Sequence, residues 1–137
     1  GKFYAFILNN LAKAYVKAIE QSGIPKKGQL SKKMVRTCKT AVKESNRFKW
    51  ALPEAYRING SRYWLQGNFR SAKKCWKYSL LVAKDLGSLY DFRMTCLEIK
   101  NRSGHDSPEL SGTAAILNEM QSKLNLSKAY ELTQINT

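Results

Sequence analysis

Cys38, Cys75, Cys96 and a single histidine, His105, are the side chains in this 137-residue chain whose types suit nucleophilic or metal chemistry. Zinc sites need ligands clustered at short spacing, and here no cysteine stands within four residues of the histidine or of another cysteine. A nucleophilic thiol would need the fold to bring a cysteine such as Cys96 to His105. Thiols set in helical patterns read more simply as small buried hydrophobes. Ten carboxylates in the whole chain leave little for acid–base catalysis, and the glycines, most of them at helix ends, form no phosphate-cradling loop. The expectation is therefore no catalytic set, no metal and no cofactor. An odd, widely spaced trio of cysteines argues for reduced thiols in an intracellular, cytoplasmic protein rather than for a disulfide framework.

Charge is the stronger signal. The chain has 24 Lys+Arg against 10 Asp+Glu, a net charge of +14. Residues 1–50 carry +10, residues 51–100 carry +5 and residues 101–137 carry −1. Two basic faces emerge at helical spacing. Lys32, Arg36, Lys39 and Lys43 fall within about 60° on one helix, and Arg70, Lys73, Lys74, Lys77 and Lys84 within about 100° on another. Such faces are read as solvated surface, as a dock for an acidic protein surface (a partner or another part of the same parent chain), or as a contact for RNA or another polyanion. Against nucleic acid, the aromatic residues are mostly needed for helix packing and no nucleic-acid-binding module is recognisable.

The elements that position these residues all read at a helical period. The apolar run Phe3–Leu8 is far shorter than the ~20 residues of a membrane span, and no small-residue cleavage site follows it. Because Gly1 opens directly onto a helical pattern, the chain is expected to be a piece of a longer protein. A first helix is expected over Phe3–Gln21, with apolar positions Ile7, Leu8, Leu11, Ala14, Tyr15 and Ala18, stopped by Ser22-Gly23-Ile24-Pro25. A second, Leu30–Asn46, buries Leu30, Met34, Cys38, Ala41 and Ser45. Pro53 opens a third that runs to Gln66. Gly67-Asn68 turns into a fourth, Phe69–Leu86, and a fifth spans Leu89–Arg102. A sixth spans Pro108–Lys123, and residues 124–137 form a short helix or a frayed tail. The expected fold is all-α, with about six helices in hairpins: residues 1–50, 53–86 and 88–123.

Within residues 53–86 the residues Tyr56, Gly60, Tyr63, Gly67, Phe69, Ala72, Trp76 and Ser79-Leu80 stand in an ordered spacing. Gly60 and Ala72 are small where two helices would cross, Tyr63 and Trp76 are large fillers between them, and Gly67 frees the turn above Phe69. This spacing resembles a tetratricopeptide repeat, whose period is ~34 residues. Asn59 and Ser79 depart from it, standing where leucine and alanine are usual. The junction Leu86-Gly87-Ser88-Leu89-Tyr90-Asp91-Phe92 resembles the helical repeats behind the ATPase modules of large signalling proteins, including the C-terminal region of soluble adenylyl cyclases.

The resemblance implies a solenoid of stacked hairpins whose first helices line a concave groove. On the third helix, Glu54, Arg57, Ser61, Trp64 and Leu65 would line it. Trp64 beside Arg57 is either a peptide anchor or packing against the preceding repeat. No cyclase motif is present, so the implied role is non-catalytic: a protein-interaction or scaffold segment of an intracellular signalling protein. The alternative is a basic helical module that binds RNA or another polyanion. The stretch Lys32–Leu52 also has the look of a calmodulin-target helix, but only if its apolar face were free.

Overall fold

A computed structural model describes residues 1–23 and 28–136. Six α-helices and no strands are found among them: α1 (Lys2–Ser22), α2 (Gln29–Ser45), α3 (Leu52–Leu65), α4 (Phe69–Leu86), α5 (Leu89–Ser103) and α6 (Thr113–Ile135). Single 3-10 turns lie at Lys49–Ala51 and Pro108–Leu110. No helix among the described residues is long and apolar enough to cross a membrane. The expected stop at Ile24-Pro25 lies outside the described residues; Gly23, at φ 63°, supplies the left-handed cap of α1.

Each junction has a local cause. Gly67 takes φ 79° between α3 and α4, and Asn68 Oδ1 accepts from the Ser71 amide to cap α4. Gly87 closes α4 in the left-handed region, and Ser88 Oγ accepts from the Asp91 amide to open α5. The sixth helix departs from expectation at both ends. Pro108 opens only one 3-10 turn, because Gly112 at φ 77° breaks the path before Thr113. From there no Gly or Pro interrupts the chain, so residues 124–135 continue α6 rather than forming a separate short helix.

Neighbouring hairpins pack so that α3 touches α1, α2, α4 and α5. One core cluster, Ala12, Val16, Ile19, Met34, Cys38 and Ile58, joins α1, α2 and α3. The other, built on Trp76, Leu80, Phe92, Ile99 and Met120, joins α4, α5 and α6 with α3. Of its expected stripe the second helix buries Met34, Cys38, Ala41 and Ser45, while Leu30 is partly buried against the same core. The stripe of α1 is rotated from expectation: Ala5, Leu8, Asn9, Ala12, Val16 and Ile19 are buried, while Ile7 and Leu11 are exposed. The small Ala5 and Ala12 let neighbouring backbone come close, and Asn9 Nδ2 donates to Ala51 O.

The closest approach is between α3 and α4. Trp76 is fully buried and its Nε1 donates 3.1 Å to Arg57 O. A β-carbon at Gly60 would fall on the Trp76 indole nearer than real β-carbons come to their neighbours. Gly60→Ala should therefore destabilise the protein by about 1–3 kcal/mol, although alanine gains about 1 kcal/mol in helix propensity. Urea unfolding followed by circular dichroism measures this; an unchanged or higher midpoint would show that the indole can shift at no cost.

Candidate functional site

A cavity of about 290 Å³ lies between α1, α3 and α5. Its polar walls come from positions one or two turns apart, as helical periodicity requires. Lys13, Lys17 and Glu20 descend from α1, Glu54, Arg57 and Ser61 from α3, and Glu98 and Arg102 from α5. Arg57 is only 7 % exposed. Its guanidinium reaches Glu54 Oε2, Asp91 Oδ1, Asp91 O and Thr95 Oγ1, each at 3.4 Å. Ser61 Oγ lies 2.9 Å from Glu98 Oε1 and 3.2 Å from Arg57 O. Arg102 pairs with Glu98 on its own helix and grips both oxygens of Glu20 at 3.0 and 2.9 Å. Lys13 completes the set, 3.6 Å from Glu54. The pairs to Glu98 and Glu20 raise the pKa of the Arg102 guanidinium against the opposing effect of its burial.

Acids and bases on this face are spent on one another. A bidentate Arg–carboxylate pair has fixed geometry, so the network braces α1 to α5 across α3 and leaves Lys17 as the one lining cation with no described carboxylate partner. Of the residues expected to line a groove, Glu54, Arg57 and Ser61 line this cavity, but Trp64 and Leu65 do not. Trp64 packs within its own hairpin, its ring centroid 4.3 Å from Phe69 and 5.5 Å from Trp76. Leu65 packs onto the core shared by α1 and α2. Both sit in the last turn of α3, Trp64 packed towards α4 and Leu65 towards α1 and α2.

The basic residues lie elsewhere. Lys32, Arg36, Lys39 and Lys43 on α2 and Arg70, Lys74, Lys77 and Lys84 on α4 are exposed. Lys73 alone is half-buried, 3.9 Å from Glu109. Desolvation pushes the Glu109 carboxyl up, but a hydrogen bond from Ser107, helped by its own backbone amide and by the charges of Lys73 and Lys77, holds it below its usual range. Among the described residues no carboxylate forms an ion pair with the other eight.

Cys96 and His105 both line a shallow depression beside α5. Burial raises the Cys96 thiol above its ordinary pKa, only partly offset by a hydrogen bond from Thr113, which leaves it protonated at neutral pH rather than activated. Cys38 and Cys75 are buried beside Arg62. Comparison with protein-family models, curated proteins and solved structures finds no match to the chain.

Several residues of the network were not singled out from the sequence. Glu98 and Arg102 do carry a readable signal, an acid four residues before a base on one helix. Asp91, Thr95 and Glu20 offer none, since their roles depend on which helices become neighbours.

Two outcomes follow from this geometry. Arg57→Met keeps the apolar volume but leaves Glu54 with Lys13 and Asp91 with the Ser88 hydroxyl in place of a guanidinium, and should cost about 2–3 kcal/mol in urea unfolding; a cost below about 0.5 kcal/mol would show water replacing the guanidinium. Burial pushes the Cys38 thiol up from 9.0 to about 12. The folded state thus disfavours the thiolate, so its contribution is intact below about pH 9 and is lost as pH rises towards 12. The wild-type unfolding midpoint should fall across that window, and fall less steeply in Cys38→Ala; identical slopes would remove Cys38 as the cause.

Proposed function

We propose that this chain is a non-catalytic docking module, a stack of tetratricopeptide-like helical hairpins that presents the outer faces of α2 and α4 to an acidic protein surface. The observation that carries this reading is the contrast between the two charged faces. Cations between α1, α3 and α5 are largely paired and partly buried, whereas eight on α2 and α4 are exposed and have no described acidic partner. Unpaired like charges repel, and an opposing acidic surface relieves that repulsion while steering association. The calmodulin-target reading loses support, since Met34 is buried and Val35 and Val42 are at least half-buried against the fold. The repeat style of residues 53–92 supports placing the module in a larger signalling protein, with the repeat regions of soluble adenylyl cyclases as the nearest resemblance.

Reversal of Lys39, Lys43, Lys74 and Lys84 to Glu tests the dock without touching Lys73, whose pair with Glu109 belongs to the fold. In crosslinking pull-downs at low and moderate salt with nuclease treatment, wild type should capture a discrete protein set. The reversed variant should lose at least about tenfold, roughly 1.4 kcal/mol, with unchanged helicity. Capture that survives reversal would overturn the reading. Capture that vanishes with nuclease would replace it by binding to RNA, whose affinity would fall steeply with salt.

A further inference from the structure

Arg62 is the buried cation that the fold leaves uncompensated. It is 3 % exposed, and it belongs to the central helix α3. Its Nε donates to Asn59 Oδ1 at 3.0 Å, and Nη1 donates to Gln66 Oε1 at 3.2 Å. The guanidinium carbon lies 3.6 Å from the centroid of the Tyr63 ring. All three partners are neutral. The remaining nitrogen, Nη2, is buried without any acceptor. The neighbouring thiols of Cys38 and Cys75 supply no negative charge, because burial holds both in the protonated form. A buried charge without a counter-charge is costly.

Gln66 connects this cation to the outside. The residue that accepts from Arg62 also lines a surface cavity with Lys32, Arg36 and Lys39 of α2. Three exposed cations thus rim the cavity, and a fourth stands one turn of α3 behind its wall. We propose that this cavity is an oxyanion site that takes the phosphate group of a phosphomonoester or of free phosphate. The Gln66 side chain swings aside so that Arg62 donates to the anion from the floor, while Lys32, Arg36 and Lys39 hold it from the rim. A phosphate dianion suits four converging cations better than a carboxylate does, having more acceptor oxygens and twice the charge. The proposal deepens the basic-face reading and rests on it for the α2 residues, but not for those of α4.

The test is a titration of the full chain at constant ionic strength, once with inorganic phosphate and once with phosphoserine, read at the Arg62 Nε–Hε resonance and by thermal unfolding. The expected result is a saturable shift of that resonance with a rising unfolding midpoint. Arg62→Lys should weaken binding at least about tenfold, and Gln66→Ala, which removes the competing acceptor, should bind as tightly or tighter. Should Arg62→Lys fail to fold, the wild-type resonance decides alone. A shift that rises without saturation, or that chloride reproduces, would overturn the site. Phosphoserine binding about tenfold tighter than phosphate assigns the site to a phosphorylated side chain, and equal or weaker binding assigns it to free phosphate. Saturable phosphate binding by the wild type together with capture that survives the fourfold reversal of Lys39, Lys43, Lys74 and Lys84 would sink the docking reading alone. Docking without saturation would sink only this site.

Discussion

The constraint on which the rest of the structure depends is the composition of α3, a helix enclosed by α1, α2, α4 and α5 that is not apolar. Its buried residues include Arg57, Asn59, Ser61 and Arg62. Buried polar groups must be hydrogen-bonded or the fold is penalised, so the neighbours of α3 are held where they can supply partners. Arg57 acts in two directions at once. Its guanidinium reaches Asp91 and Thr95 of α5, and its carbonyl accepts from Trp76 of α4. Ser79 adds a second tie, donating to Pro53 O at 2.7 Å and lying 2.8 Å from Thr95 Oγ1. These bonds fix how far α4 and α5 slide along α3, a register that apolar packing alone specifies less sharply.

The same demand explains why the inner and outer surfaces differ in charge. Closing α1 and α5 over α3 required acids and bases that answer one another, and Glu20, Glu54, Glu98 and Asp91 do so. Those four are a large share of the chain's 10 carboxylates. Few remain for α2 and α4, whose cations face water. A strongly basic outer surface is thus the complement of a neutral inner one, within a composition short of acids.

Much of the architecture was legible because helix period and turn chemistry are local. The α3–α4 turn at Gly67 and the α4–α5 turn at Gly87 follow from backbone freedom that only glycine has at those φ values. Gly60 was legible as a crossing point, since a bare α-carbon within a helix marks close approach. What could not be read depended on neighbours. Ser79 stands where the repeat spacing has alanine, yet its hydroxyl bonds across two helices. Asn59 stands where the repeat spacing has leucine, yet it is buried and serves Arg62. Trp64 carried an aromatic side chain at a groove-facing spacing, but it packs onto Phe69 and Trp76 inside the hairpin. Periodicity gives an angle around a helix axis, and the partner at that angle is set by tertiary packing.

Arg57 and Arg62 show how far that last point reaches. They stand five residues apart on one helix, about 140° apart in direction, and both are nearly removed from water. Arg57 faces α5, which brings Asp91 and Glu98. Arg62 lies by the thiols of α2 and α4, and those helices each hold a single acid, Glu44 and Asp85, neither of which pairs with it. The difference between a satisfied arginine and an unsatisfied one therefore lies in the sequences of the neighbouring helices rather than in either arginine. In a chain of net charge +14, Arg62 is the buried guanidinium that no described carboxylate answers.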